Sequence, residues 1–217
     1  MNHNPFLPAL ARLAEIRDLA TGIKLFRCEF LDQGTELHYR PGQFGFLSAI
    51  GVGEAPFGLA VSEARSGGLA EFAVQRIGTV TDALHEMQPG DLVGVRGPMG
   101  NCFPMDQLKG DDDSRNRRII ILGGGIGLAP LRPVIQEILD HRDEYGPLEL
   151  FCAARSPELL VFREEFAEWG AAPRTTMHVT VDKGNESWTG QVGLIPQVLA
   201  QVAPSPDTAD AITCGPP

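Results

Sequence analysis

Apolar and polar residues alternate through positions 14–19 and again through 23–30, the period of a strand with one buried face, and Ala20-Thr21-Gly22 between them reads as a hairpin turn. Pro41-Gly42 then leads into the apolar run Phe44-Gly45-Phe46-Leu47, and further runs follow at 57–61 and 69–74. Short strands this close together predict a small antiparallel barrel. Residues 80–87 interrupt the pattern as a helix, with Thr79 or Thr81 available as its cap and Gln88-Pro89-Gly90 as its end. One more strand, 92–96, runs into Gly97-Pro98-Met99-Gly100-Asn101, whose glycine and proline content predicts a tight loop.

The pattern changes after residue 110. Gly110-Asp111-Asp112-Asp113-Ser114-Arg115-Asn116-Arg117-Arg118 offers almost nothing to bury, so residues 111–117 are predicted to link a first domain, 1–110, to a second, 118–217. Beyond the linker, strands at 119–122, 148–154, 177–181 and 211–214 alternate with helical spacing at 130–141, 159–169 and 195–202. Strand-helix alternation implies parallel pairing with right-handed crossovers, which makes the second half part of a doubly wound sheet.

Composition narrows the function. A chain of 217 residues with 43% hydrophobic and 21% charged residues has the make-up of a packed two-domain protein. Eighteen basic against 28 acidic side chains leave a formal charge of −10, which repels phosphate backbones and anionic membranes and predicts neither nucleic acid nor membrane as a partner. No apolar run reaches the roughly 18 residues of a bilayer span, and the first residues carry no secretory pattern, so a cytoplasmic location is expected. Cys28, Cys102, Cys152 and Cys214 lie about fifty or more residues apart, which fits neither a metal knuckle nor a compact disulfide framework. The five histidines show no ligand spacing, and no metal site is predicted.

The strongest local signal is Ile121-Leu122-Gly123-Gly124-Gly125-Ile126-Gly127-Leu128-Ala129-Pro130, a buried strand opening through glycines onto a helix. Glycines there let backbone approach a pyrophosphate, and the free N–H groups of the helix start supply positive potential to hold it. Glycine-rich turns also serve merely to pack a helix on a strand. The position within a β/α alternation favours a dinucleotide.

Together with Cys214-Gly215-Pro216-Pro217, this order of a barrel half followed by a glycine turn resembles the ferredoxin-NADP reductase superfamily. Three segments resemble, within it, the gamma (diaphorase) subunits of cytoplasmic nickel–iron hydrogenases: residues 80–84, residues 90–101, and the run Ala153-Ala154-Arg155-Ser156-Pro157-Glu158-Leu159-Leu160. The electron-transfer subunits of dihydroorotate dehydrogenase and sulfite reductase are similar alternatives, and an oxygenase reductase is a third. The resemblance implies an antiparallel Greek-key β-barrel that binds FAD, followed by an α/β parallel-sheet domain that binds NAD or NADP. It also implies an iron–sulfur electron-transfer subunit and a hydrogenase-like catalytic subunit as partners.

Residue by residue, the resemblance places Pro56, Phe57, Gly58, Leu59 and Ala60 along the flavin, with Phe57 as an aromatic wall that could equally be a core residue. The family's usual arginine and small hydroxyl residue fall on Ala55 and Gly58, which removes a charge-assisted phosphate contact and a hydrogen bond to the flavin. Arg76 is a candidate replacement cation, and the backbone of Gly78, Thr79, Val80 and Thr81 a pyrophosphate cradle. A flavin-free dinucleotide-binding module is the rival reading that these departures keep open. Gly123, Gly124, Gly125, Ile126, Gly127, Ala129 and Pro130 would hold the nicotinamide dinucleotide, with Gly215 and Pro216 opposite and Cys214 beside the nicotinamide as the catalytic candidate. Arg155 and Ser156 fall where the adenosine ribose is expected; Arg155 suits a 2′-phosphate or is a plain surface residue, and Asp182 keeps NAD open. A complete domain of this kind would continue past residue 217 with a helix and a strand, so truncation is expected, and a [2Fe–2S] centre belongs only to such an extension.

Overall fold

A computed structural model describes residues 7–32, 34–109, 117–202 and 206–216. The chain divides into two compact units, Met1–Phe103 and Pro104–Pro217. Of the expected linker, only Arg117 lies among the described residues, where it pairs with Asp210 at 2.8 Å.

The first unit contains β1 (Ala9–Ala20), β2 (Ile23–Phe30), β3 (Phe44–Ala49), β4 (Gly53–Gly58), α1 (Glu63–Ser66), β5 (Ala70–Gln75), α2 (Thr79–Glu86) and β6 (Leu92–Met99). Its six strands form one antiparallel sheet in the order β4-β3-β6-β1-β2-β5, a Greek-key arrangement in which the last strand returns between the first and the third. The sheet closes on itself where Leu59 bridges Phe72 and the Ala60 N–H donates to the Glu71 carbonyl at 2.9 Å. The interior is filled by Leu13, Phe26, Leu47, Phe72, Val74 and Val95. The amphipathic α2 adds Val80, Ala83 and Leu84 to this core, and Met87 just after it packs there too.

Two barrel segments differ from the pattern reading. The strand expected at 57–61 begins instead at Gly53, because Gly51 (φ +82) turns the chain back and Gly53–Gly58 pairs with β3 through its backbone whatever its polarity. Leu59, Ala60 and Val61 are buried because they make the closing corner, and the unexpected α1 follows. The loop expected at 97–101 is strand as far as Met99. Phe44 pairs with Met99 and Phe46 with Arg96, so the register slips around a pair of glycines, with the Gly97 Cβ position only 3.1 Å from the Gly45 Cα.

The second unit contains α3 (Met105–Leu108), β7 (Arg118–Gly124), α4 (Leu128–Asp140), β8 (Leu148–Ala154), α5 (Phe166–Ala171), β9 (Thr175–Val181), β10 (Gln191–Val192), α6 (Ile195–Val202) and β11 (Ala209–Cys214). All strand pairs are parallel, in the order β10-β9-β8-β7-β11. Every residue of β8 is buried, as a central strand covered on both faces requires. Val198 of α6 packs with Ile120, Leu122 and Phe151, and α4 buries Leu131, Val134, Ile135 and Ile138. The strand order reverses between β7 and β11, which creates a switch point at their carboxyl ends.

The helix expected at 159–169 is not one helix. Leu160, Val161 and Phe162 are all buried, which one helical face cannot achieve with consecutive residues. The chain runs through two short 3-10 turns with Phe162 between them in the left-handed region (φ 57), and only Phe166–Ala171 is α-helical. Arg132 of α4 fixes this path by binding both Glu165 carboxylate oxygens, at 2.8 and 2.9 Å, with its guanidinium 4.9 Å from the Phe162 ring centre. The two-residue β10 was too short to show a period.

Phe72 is fully buried, lies over Gly45 and meets Phe57 edge-on at 6.5 Å. Phe72→Ala should therefore cost about 3–5 kcal/mol of barrel stability, read as a fall in the urea midpoint. A change under about 1 kcal/mol would contradict the closed core described above.

Candidate functional site

The glycines at the carboxyl end of β7 are required by their neighbours. Gly127 has a helical φ of −59, so its backbone suits any residue; space is what excludes a side chain. A Cβ there would lie 2.4 Å from the Cys214 carbonyl oxygen and 2.7 Å from the Gly215 Cα. A Cβ on Gly215 would in turn lie 3.1 Å from the backbone of Gly124, and the Gly124 Cβ position is 3.4 Å from Pro216. A Cβ on Gly123 would lie 2.7 Å from the Leu128 side chain. The loops after β7 and β11 thus interlock backbone to backbone at the switch point, and Gly125 (φ +54) makes the turn between them in open space.

Gly125–Gly127 is one 3-10 turn that continues directly into α4, and no side chain caps it. The first amides of such a start have no intrahelical acceptor and carry the positive end of the helix dipole. Pro130 sits within the first turn, where its missing N–H removes no helical bond. Ala129 is buried beneath the turn. A neutral, side-chain-free cradle of amides fits a pyrophosphate.

Cys214 ends β11 in register with Gly123 and is half-buried. Burial pushes its thiol above the ordinary range, against a smaller opposing effect of the Gly215 amide, so the group is a neutral thiol at physiological pH. Cys28 and Cys152 are buried and pushed up to about 12 by desolvation, as structural thiols. All four cysteines are free.

Along the same edge, Arg155 follows β8 and Asp182 follows β9, both exposed. The Ser156 hydroxyl is committed to Glu158 at 2.6 Å and holds that carboxyl below its usual range. One residue at this edge was missed in the sequence. Trp188 is clasped by Gly184 and Gly190, the latter with only 2.5 Å between its Cβ position and the indole, and it packs against Leu160 and Val181. The two flanking glycines were the signal.

In the first unit, the β3–β4 register puts Ala55 and Phe57 on the face of Leu47 and Gly45, while Pro56 and Gly58 share the opposite face with Phe46 and Phe44. Leu59 and Ala60 are buried in the closing corner. At the start of α2, the Thr81 hydroxyl accepts the Ile77 and Gly78 N–H groups, each at 2.9 Å, and donates to the Gly78 carbonyl at 2.8 Å. Thr81 is therefore the residue that fixes the turn, while Thr79 and Val80 begin the helix with no side-chain cap over their amides. Arg76 is exposed and bonded to Asp82 at 2.9 Å and Glu86 at 2.8 Å, so any anion would compete with two carboxylates for it. A second arginine went unnoticed in the sequence. Arg96 on β6 lies flat on Phe46 at 4.2 Å and pairs with Glu54, a cross-strand cluster that only the register reveals.

Comparison with known proteins agrees with this geometry. Residues 10–103 match the oxidoreductase FAD-binding domain and residues 121–217 the oxidoreductase NAD-binding domain. The whole chain aligns with the sulfhydrogenase 1 gamma subunit of Pyrococcus furiosus at 31% identity over 220 residues, covering 73% of that protein. The chain belongs to the ferredoxin-NADP reductase family. Another member, the sulfhydrogenase 2 gamma subunit of the same organism, is 37% identical over 164 residues, a match spanning 75% of this chain and 54% of that relative. A probable dihydroorotate dehydrogenase B (NAD(+)) electron transfer subunit of Methanocaldococcus jannaschii is 28% identical, over 96% of this chain and 69% of its own. Among solved structures, an Amycolatopsis cytochrome P450 reductase has the same fold with a TM-score of 0.80 at 24% identity, covering 96% of this chain and 62% of that one. The cytochrome b5 reductase domain of Ulva prolifera nitrate reductase scores 0.77 at 20% identity, covering 99% and 89%.

Gly127→Ala tests the interlock. The added methyl must displace the Cys214 carbonyl, so we expect a loss of about 1–3 kcal/mol in unfolding free energy together with weakened nucleotide binding. Gly125→Ala meets open space and should weaken stability only through its left-handed φ, by about 1 kcal/mol.

Proposed function

We propose that this chain is the flavin- and nicotinamide-binding electron-transfer subunit of a cytoplasmic redox complex, exchanging a hydride between NAD(P)H and FAD and passing single electrons to a partner's iron–sulfur centres. The observation that carries this is the uncapped glycine turn at the switch point, locked by Gly127 against Cys214 and Gly215. FAD supplies the conversion between two-electron and one-electron chemistry, so the protein needs no acid–base side chain for that step. A hydrogenase-type assembly, with an iron–sulfur subunit and a catalytic subunit beside this one, is the complex we favour, since two relatives are named as sulfhydrogenase gamma subunits. The four free cysteines support a reducing compartment.

In this reading the amides of residues 125–127 and the start of α4 bind the dinucleotide pyrophosphate. Cys214 would act by shape: its thiol, fixed at the end of β11 in register with Gly123, would bear on the nicotinamide and help to position it. In the barrel, Pro56 and Gly58 present a surface without bulk to the flavin, and the amides of Thr79 and Val80 hold its pyrophosphate. Whether an NAD(P) preference exists depends on Arg155 and Asp182. Ala55, Gly58 and the commitment of Arg76 to Asp82 and Glu86 favour one other reading, a flavin-free dinucleotide-binding module that regulates or scaffolds a redox complex.

The visible spectrum of the purified chain, with FAD supplied, separates the two. A yellow protein bleached anaerobically by NADH or NADPH is the expected result, and Cys214→Ala should slow the bleaching about tenfold to a hundredfold while the flavin stays bound. A colourless protein that binds nucleotide but takes up no FAD would establish the flavin-free reading.

A further inference from the structure

Resting on the nucleotide site just described, the remaining edge of the second sheet addresses which coenzyme it takes. With the pyrophosphate over the β7–α4 turn and the nicotinamide toward β11, the adenosine end extends the other way, over the carboxyl ends of β8 and β9. Adjacent strands are about 4.8 Å apart, so Arg155 and Asp182 stand roughly 5 and 10 Å along this edge from the turn, within reach of the adenosine ribose. The two chain segments stay joined beyond the strands: the Asp182 N–H donates to the Ala154 carbonyl and the Lys183 N–H to the Arg155 carbonyl, each at 3.0 Å. Arg155 is therefore held beside Asp182 by backbone bonds. Arg155, Asp182 and Lys183 are exposed and form no ion pair among the described residues. Ser156, the other polar group here, has its hydroxyl taken by Glu158 at 2.6 Å.

These groups make opposite demands. An arginine draws a 2′-phosphate by a charge-assisted bond, whereas an aspartate accepts the free hydroxyls of the NAD ribose and repels the phosphate. At comparable distances the two Coulomb effects on a 2′-phosphate oppose each other, and with Lys183 and Glu158 adding one charge of each sign, neither sign dominates the edge. We propose that the nucleotide site discriminates weakly between NAD(H) and NADP(H), because Arg155 and Asp182, fixed side by side, offset each other at the ribose 2′ position.

Dissociation constants of NAD+ and NADP+, with 5′-AMP and 2′,5′-ADP as fragments that report the 2′ position alone, test this by calorimetry on the whole chain. The expected ratio of constants lies within about tenfold of unity for each pair. Asp182→Asn should shift both ratios toward the phosphorylated ligand by about tenfold, Arg155→Gln should shift them as far the other way, and the double variant should return near the starting ratio. A starting preference beyond about a hundredfold for either coenzyme overturns the inference and leaves the nucleotide site standing. So do ratios that neither substitution moves. Failure of the unaltered chain to bind any of the four ligands overturns the nucleotide site itself, and this inference with it.

Discussion

A missing carbon atom governs the second unit. With the Cys214 carbonyl oxygen only 2.4 Å from where a Gly127 Cβ would lie, the loops after β7 and β11 can meet only as bare backbone. That contact fixes where α4 begins, keeps its first amides clear of side chains, and sets Cys214 at the mouth of the same turn. An amide cradle open to a diphosphate and a thiol at a defined position are two results of one packing constraint. Substituting a larger residue at Gly127 would disturb both, because interiors packed to crystal-like density pass a displacement on to their neighbours.

The barrel obeys a different constraint. A closed sheet must be joined at its last edge, and the chain uses Leu59, Ala60 and Val61 for this, which spends their side chains on the core. What β4 offers on the face opposite Ala55 and Phe57 is then Pro56 and Gly58, with the aromatic rings of Phe44 and Phe46 beside them. The two arginines considered for the barrel are both engaged: Arg96 is bound to Glu54 on Phe46, and Arg76 to Asp82 and Glu86. At the start of α2, Thr81 ties down the preceding turn and leaves the first amides uncapped, the feature that the proposed flavin site would use. Both units thus come to the same device, a helix start opened by small residues, by unrelated routes.

The family membership carries the fold and the two cofactor-binding domains. Ala55 and Gly58 stand where the resemblance to the family implies an arginine and a small hydroxyl residue, and in the proposed function shape and backbone amides take their place. At the carboxyl edge of the second sheet, backbone bonds from Asp182 to Ala154 and from Lys183 to Arg155 bring an arginine and an aspartate side by side.

Much of this was legible in the order of residues. The alternation at 23–30, the mostly apolar segment at 148–154 and the amphipathic segment at 195–202 became β2, β8 and α6 with the expected limits, because each has a period or a length that one kind of burial explains. The glycine turn was legible as well, since few other roles put so many glycines between a strand and a helix. Periodicity failed where burial came from the whole fold: Leu160, Val161 and Phe162 looked helical but are all buried, Leu160 against Ala154 and Val181 and Phe162 under Arg132, and Leu59 to Val61 looked like a strand but make the barrel's corner. Sequence alone determined the two kinds of sheet, the turn that opens α4 and the residues at its edge, all set by neighbours a few positions apart. Only the tertiary structure decided which glycine is obligatory, which arginines are already bound and which charges stand side by side, because those depend on contacts between residues as far apart as Gly127 and Cys214, brought together by the parallel pairing of β7 with β11.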